Sequence, residues 1–267
     1  VRVLLLSFYF PPDIGPGAFR SGAWLAALQE QLAPSDEIEV LTTQPNRYAS
    51  LRAGAPRTQR IGNARITRIP LPGHQSGFID QSKAFAAFAL AVARHLRGQH
   101  YDLVCATSSR LMTACLASLV ARRCRAPLFL DIRDLFVDTI GDVLPPRLRG
   151  LVPLFRLIER FTFRRAQHIN VVSGGFVDYI HARAPGVPTS VVANGIDDLF
   201  LDEDFSPTAA RSGLRRVLYA GNIGAGQGLD AILPELARRT AGTHEYLVFG
   251  DGGAAEALRK AVAGLPN

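Results

Sequence analysis

The feature that most constrains this chain is an alternation. Short apolar, β-branched runs recur at 3–7, 38–42, 64–69, 103–106, 128–132, 169–172, 190–192, 217–220 and 246–249. Segments with helical spacing lie between them, near 18–32, 82–97, 110–124, 149–165, 174–183, 228–240 and 254–263. Strands and helices that alternate in this way build parallel βαβ units, with helices on both faces of the sheet. The expected class is therefore α/β. In such sheets ligands bind beyond the carboxyl ends of the strands. The strand-to-helix turns are the places to look for chemistry.

The alternation breaks once. After VVANGIDDLF, the sequence LDEDFSPTAARSG is polar, acidic and aperiodic, and RRVLYAGN then restarts the pattern. This predicts a first domain over 1–196, a linker over 197–213 and a second unit over 214–267. The second unit holds two strands and two helices, fewer than a complete open sheet needs. The chain is expected to stop partway through its second domain.

Composition narrows the function classes. With 48% hydrophobic and 20% charged residues the chain can bury a sizeable core. The net charge of +7 is carried almost wholly by arginine, Lys83 and Lys260 being the only lysines. Nucleic acid, anionic membrane and phosphorylated ligands are all compatible with that surplus. Cys105, Cys115 and Cys124 form no CxxC pair and read as buried thiols of a cytosolic protein. The six histidines show no HExxH or HxH spacing, so no metal is expected. The first apolar run ends at Pro11-Pro12 and reads as a strand, not a signal peptide. AFAAFALAVA, residues 84–93, is too short to span a bilayer. The expectation is a soluble protein.

Three glycine-rich turns follow strands. In YFPPDIGPGAFR, Gly15 and Gly17 would begin a GxGxxG fingerprint, but Arg20 stands where the third glycine belongs. That argues against a standard dinucleotide site. It leaves a backbone-lined loop with Arg20 as a charged fork for a ligand. Gly221-Asn222-Ile223-Gly224-Ala225-Gly226-Gln227-Gly228 matches the first half of a Walker A loop. Gln227 then replaces the phosphate-binding lysine and Gly228 the magnesium-binding hydroxyl, which excludes ordinary NTPase chemistry. A helix N-terminus suited to a diphosphate remains. The third turn, Gly250-Asp251-Gly252-Gly253, sits at the same edge.

Charged clusters come next. Asp131-Ile132-Arg133-Asp134 ends an apolar strand, where charges must be paired or face solvent. A local ion pair of Arg133 with a neighbouring aspartate and an acid/base cluster are both open readings. Asp202-Glu203-Asp204 matches a metal-holding DxD pattern but falls in the linker, which favours a solvated turn. In Arg147–Arg165, Leu154, Leu157, Ile158 and Phe161 recur at helical spacing and are expected to face the core. Arg156, Arg160 and Arg164 form a stripe on another face, either solvated or resting on anionic headgroups. No recognition module for nucleic acid is present.

Taken together, YFPPDIGPGAFR, LTTQPNRY, LDIRDLFVD, NVVSGGF, VVANGID, VLYAGNIGAGQGLD and YLVFGDGG resemble the family-4 retaining glycosyltransferases. The resemblance runs in order over the whole chain and is strongest to the branch that adds amino sugars during bacterial surface-polysaccharide synthesis. It implies a GT-B fold, in which two Rossmann-like domains face each other across a cleft. The donor would then be a nucleoside-diphosphate sugar, UDP-linked. Gly221, Asn222, Gly224, Gln227 and Gly228 would cradle its diphosphate, and Gly250, Asp251 and Gly252 would border the nucleoside. Gly15, Gly17 and Arg20 would meet the diphosphate and sugar from the other domain. Arg133 and Asp134 fall where many members carry a His-Asp pair, which makes them the catalytic candidates. Asn194 and Gly195 resemble the turn near the interdomain crossing.

The chain departs from the family at two points. Asn222 and Gln227 replace the arginine and lysine that usually neutralise the diphosphate. The acidic E-x7-E motif of the second domain would lie beyond Asn267. The resemblance further implies a metal-independent enzyme with no cofactor, acting on a glycan or polyprenyl-diphosphate-linked acceptor. It would work in the cytoplasm or on the inner membrane face, with Arg156, Arg160 and Arg164 against anionic lipid. A nucleotide-sugar epimerase of similar fold and a non-catalytic nucleotide-sugar-binding module are the rival readings.

Overall fold

The computed structural model describes residues 1–46, 54–72, 78–108, 110–144, 146–196, 200–204, 206 and 213–265. Most of the linker expected over 197–213 lies outside the described residues, as do Arg47, Tyr48 and Asn267. The chain divides into two compact units, Val1–Gly195 and Ile196–Asn267.

In the first unit, an eight-stranded sheet is built from β1 (Arg2–Ser7), β2 (Glu37–Thr43), β3 (Thr58–Ile61), β4 (Ala64–Ile69), β5 (Leu103–Ser108), β6 (Leu128–Ile132), β7 (His168–Val171) and β8 (Thr189–Val191). The strand order is β3-β4-β2-β1-β5-β6-β7-β8. All pairings are parallel except β3 with β4. Strand β1 is central and buried on both faces, as its unbroken apolar run requires. Its alternate side chains enter different cores. Leu4 and Leu6 join one cluster, and Val3 and Leu5 join the other. Each fully buried leucine contributes roughly 1.5–3 kcal/mol.

Helix α1 (Pro16–Gln31) packs Trp24, Leu25 and Leu28 on the Val3–Leu5 side. The opposite side is covered by α2 (Phe78–His95), α3 (Leu111–Cys124) and parts of two later helices. These are α5 (Val152–Arg165), through Phe163, and α6 (Val177–Arg183), through Ile180. Between α3 and α5 lies α4 (Phe136–Val143). The order reverses at β1, which has β2 on one side and β5 on the other. That switch point places the turns after β1, β5 and β6 at one edge of the sheet.

The second unit carries β9 (Arg215–Ala220) and β10 (His244–Phe249), which pair in parallel, with α7 (Leu229–Arg239) and α8 (Ala255–Val262). Its core gathers Ile223, Ala255 and Leu258, with Tyr219, Leu233 and Val248 packed against them.

Three expectations need correction. Strand β3 does not appear in the sequence reading. It is a four-residue polar edge strand, TQRI, and it pairs antiparallel with β4, so the sheet is not wholly parallel. Helix α4 was also missed, because FVDTIGDV is too short to show a clear period. The predicted helix 149–165 begins as a 3₁₀ turn, Pro146–Leu151, and α5 is rotated relative to expectation. Leu154, Leu157 and Phe161 are 51%, 65% and 38% exposed, while Glu159, Thr162 and Phe163 are buried.

The cause of that rotation is an inward ion pair. Arg183 Nε donates to Glu159 Oε2 at 2.6 Å, and the Tyr179 hydroxyl donates to the same carboxylate at 3.0 and 3.1 Å. These bonds lock α5 against α6 with the glutamate inside. Burial pushes the Glu159 carboxyl above its ordinary 4.5, and the bonds from Tyr179 and Arg183 offset only part of that.

Candidate active site

The turn after β1 is fixed from within. The hydroxyls of Ser7 and Ser21 donate to the Tyr9 carbonyl at 2.7 and 2.8 Å. Gly15 then accepts from the amides of Ala18 and Phe19 and opens α1, with Pro16 at the first helical position. The Gly17 backbone lies under the guanidinium of Arg133. A Cβ at that position would stand 3.0 Å from Nη2 and 3.1 Å from Nη1. The structure thus brings Gly17 together with Arg133, two candidate residues more than a hundred positions apart in sequence.

Arg20 has a different place from the one expected. Its Nε and Nη2 grip Asp131 Oδ2 and Oδ1 at 2.7 and 2.8 Å. Nη2 also donates to the Val192 carbonyl at 2.9 Å. Nη1 donates to the Ala193 carbonyl at 3.2 Å and to Asn194 Oδ1 at 3.1 Å. A guanidinium has five N–H donors, and these contacts use all of them. The side chain is nine-tenths buried. Arg20 is therefore a clamp inside the first unit, with no donor left to form a fork toward a diphosphate. It holds α1 to β6 and to the Asn194 turn, while Gly195 beside it has open space around its Cα.

Asp131 is the centre of that clamp, and its cationic partner is Arg20. The hydroxyl of Thr107 and the amide of Asn170 each donate to it at 2.7 Å. Burial alone would raise the Asp131 carboxyl. The Arg20, Thr107 and Asn170 bonds outweigh it and hold the group below its ordinary 3.8.

Asp134 faces outward at the end of β6 and lines a small pocket with Ser108, Arg110, Leu111, Ile132, Phe136 and others. Glu159 and Phe163 of α5 form another wall. Sequence reasoning missed Arg110. Its Nη2 donates to the Tyr9 hydroxyl at 2.6 Å and to Gln81 at 2.9 Å, with the guanidinium 4.3 Å over the Phe8 ring. The signal was Arg110 just after β5, at the same end of the sheet as Asp134.

In the second unit the two glycine turns interlock. Gly221 N donates to the Phe249 carbonyl, Ile223 N to the Asp251 carbonyl and Ala254 N to the Ile223 carbonyl, each at 2.9 Å. A Cβ on Gly250 would fall 1.8 Å from the Gly221 oxygen, and one on Gly252 would fall 2.3 Å from the Ile223 oxygen. Glycine is required there by the close approach of two backbones. Asn222 and Gln227, which replace the expected charged residues, bond to each other. Asn222 Nδ2 donates to Gln227 Oε1 at 3.2 Å, and Gly224 N donates to the same oxygen at 3.1 Å. The loop is closed by its own carboxamides, and Gly228 caps α7, whose positive end faces the turn. Asp202–Asp204 is exposed, and Asp204 accepts from the Ser206 amide. Among the described residues no group of three His, Cys, Asp or Glu side chains could hold a metal ion.

Solved structures share this architecture. Sucrose-phosphate synthase (tll1590) from Thermosynechococcus elongatus is 16% identical, with a TM-score of 0.61 over 97% of this chain and 66% of that one. Alr3699/HepE from Anabaena in complex with UDP-glucose is 14% identical, with a TM-score of 0.59 over 100% of this chain and 67% of that one. The lipopolysaccharide outer core galactosyltransferase WaaB, in its apo form, is 13% identical, with a TM-score of 0.53 over 99% of this chain and 65% of that one. The likeness at these identities is one of fold, α/β of the GT-B type. The chain spans about two thirds of the length of these structures. No curated protein sequence matches it. Residues 21–195, well over half of the chain, match the glycosyl transferase 4-like domain, and the chain belongs to that family.

Proposed function

We propose that this protein transfers a sugar from a nucleoside-diphosphate donor to a glycan or polyprenyl-diphosphate-linked acceptor. The observation that carries the reading is the interlocked pair of turns Gly221–Gly228 and Gly250–Gly252 at the N-terminus of α7, in a chain of the glycosyl transferase 4-like family. Backbone amides and the helix dipole there suit a diphosphate that leaves carrying negative charge. Neutralisation through amides fits a loop whose Asn222 and Gln227 side chains are spent on shaping it. The Anabaena neighbour was solved with UDP-glucose, with UDP, and with UDP and glucose, which supports a uracil base for this donor as well.

On the acceptor side, Arg133 and Asp134 are the catalytic candidates, Gly17 lies against Arg133, and Gly15 opens the same turn. Transfer proceeds with retention through an oxocarbenium-like transition state and without a metal. The transferred group is an amino or deoxyamino sugar destined for a surface polysaccharide. Asn194 and Gly195 begin the crossing to the second domain. The enzyme works on the cytoplasmic side, peripheral to a membrane whose anionic lipids meet Arg156, Arg160 and Arg164. Among the described residues no helix is long and apolar enough to cross a membrane.

Product analysis of the intact protein with UDP-linked sugars tests the reading. Acceptor-dependent product with the donor's anomeric configuration is expected. Conversion of the donor sugar without any acceptor would identify an epimerase instead.

A further inference from the structure

Arg110 stands just after β5 with its backbone fixed from both sides. Its amide donates to Ser108 Oγ at 2.8 Å, and the Ser108 hydroxyl donates to the Arg110 carbonyl. The Arg133 amide donates to the Ser108 carbonyl at 3.1 Å, which fastens the turn after β6 to the same residue. The side chain is aimed as firmly. Its guanidinium lies 4.3 Å from the Phe8 ring centre and 5.4 Å from that of Tyr9. Nη2 spends both of its N–H groups, on the Tyr9 hydroxyl at 2.6 Å and on Gln81 Oε1 at 2.9 Å.

Nε and Nη1 carry the other three N–H groups. Among the described residues they donate to no protein acceptor, and Arg110 forms no ion pair. A purely structural arginine accounts for Nη2 and for the ring contacts. It leaves a half-buried cation with unused donors and no counter-charge, an arrangement that an anion would complete. The surroundings favour one. Helix α3 begins at Leu111 with no acidic side chain in its first turn, so its positive end adds to the field of Arg110. Arg110 and Asp134 line the same pocket, whose other carboxylate, Glu159, is already compensated by Arg183 and Tyr179. The pocket is thus cationic on the β5 side and anionic on the β6 side.

We propose that Arg110 binds an oxyanion carried by the acceptor, a phosphate or a carboxylate, and so selects acidic acceptors. The inference rests on the transfer reading for the existence of an acceptor, and adds to it a binding residue and a rule of selection. It also orients the substrate. With its anion on Arg110, the acceptor turns an uncharged hydroxyl toward Asp134, because a second anion there would be repelled.

Calorimetric titration of the intact protein in saturating UDP tests this with sodium pyrophosphate, with glucuronate, and with glucose as the neutral control. The wild type should bind at least one of the two anions, and glucose at least about tenfold more weakly. Arg110→Gln should lose at least about tenfold in anion affinity. Arg110→Lys, which keeps the charge without the planar donors, should fall between. Tighter binding of pyrophosphate assigns the anion to a diphosphate-linked acceptor, and tighter binding of glucuronate assigns it to an acidic glycan. Phenylglyoxal modification of the wild type, read by peptide mass mapping, reports the site even where a variant folds poorly. The bound anion should protect Arg110 and leave the exposed Arg97 reactive. Unchanged anion affinity in Arg110→Gln, no binding of either anion by the wild type, or no protection of Arg110 would overturn the proposal. Binding of UDP is measured first, and its absence would sink the donor reading alone. The same titrations without UDP, with the protection of Arg110, then decide the acceptor site.

Discussion

Arg20 and Asp131, 111 residues apart, close a two-point ion pair at 2.7 and 2.8 Å in the interior of the first unit. The pair joins α1 to β6, and the remaining donors of Arg20 hold the Asn194 turn. It fixes the position of the helix that begins with Gly15 and Gly17.

Removing one partner should cost more than the pair contributes. Arg20→Ala leaves Asp131 buried and uncompensated, a loss of about 3–5 kcal/mol. Arg20→Lys keeps a charge but not the fork and should fall between wild type and Arg20→Ala. Urea denaturation checks both variants. Wild-type stability in Arg20→Ala would contradict the clamp.

Two buried carboxylates predict opposite dependences on pH. Asp131 is held below its ordinary value, so its contribution is fully present above about 3.8 and is lost as pH falls through the folded-state value. The stability gap between wild type and Asp131→Asn should narrow in that acid range. Glu159 is raised above 4.5, so its contribution is complete below 4.5 and declines as pH rises through the folded-state value. Glu159→Gln should therefore gain on wild type as pH climbs from 4.5. Denaturation series at stepped pH read both slopes, and slopes of equal sign would contradict this assignment.

Gly17 should be more important for turnover than for folding. A side chain there pushes against the Arg133 guanidinium, which can shift at small cost to stability. Displacing Arg133 and the neighbouring turn should reduce turnover of Gly17→Val by up to on the order of 100-fold. Its melting temperature should stay within a few degrees of wild type. Wild-type turnover in this variant would remove the β1 turn from the active site.

Gly250→Ala should separate the two turns of the second unit. Its Cβ would overlap a backbone oxygen, which cannot move aside as a side-chain end can. A stability loss of about 1–3 kcal/mol is expected, with UDP affinity reduced at least about tenfold. Gly253→Ala, with nothing within 4 Å, is the control and should change stability little. Equal behaviour of the two variants in thermal shift and calorimetry would contradict the interlock.

The elements with strong local signals were readable from sequence. Apolar runs such as VLLLS have a buried, two-faced environment in every α/β sheet, and the glycine turns mark where backbones approach. What the sequence did not disclose depends on partners distant along the chain. Arg20 reads as a ligand fork until Asp131 and the carbonyls at 192–194 use all its donors. The spacing of Leu154, Leu157 and Phe161 fits a core-facing helix equally well until Glu159 is drawn inward by Arg183 and Tyr179. Strand β3 exists because β4 offers it an edge, and TQRI carries no apolar pattern of its own. Arg110 was overlooked because one arginine in TSSR has no motif around it.

The central claim is that the turns of the second unit hold a nucleoside diphosphate. Calorimetric titration of the intact protein with UDP and, separately, with GDP tests it directly. The account predicts one-site binding of UDP, with GDP at least about tenfold weaker, a difference of about 1.4 kcal/mol. Absence of binding by both nucleotides would contradict it.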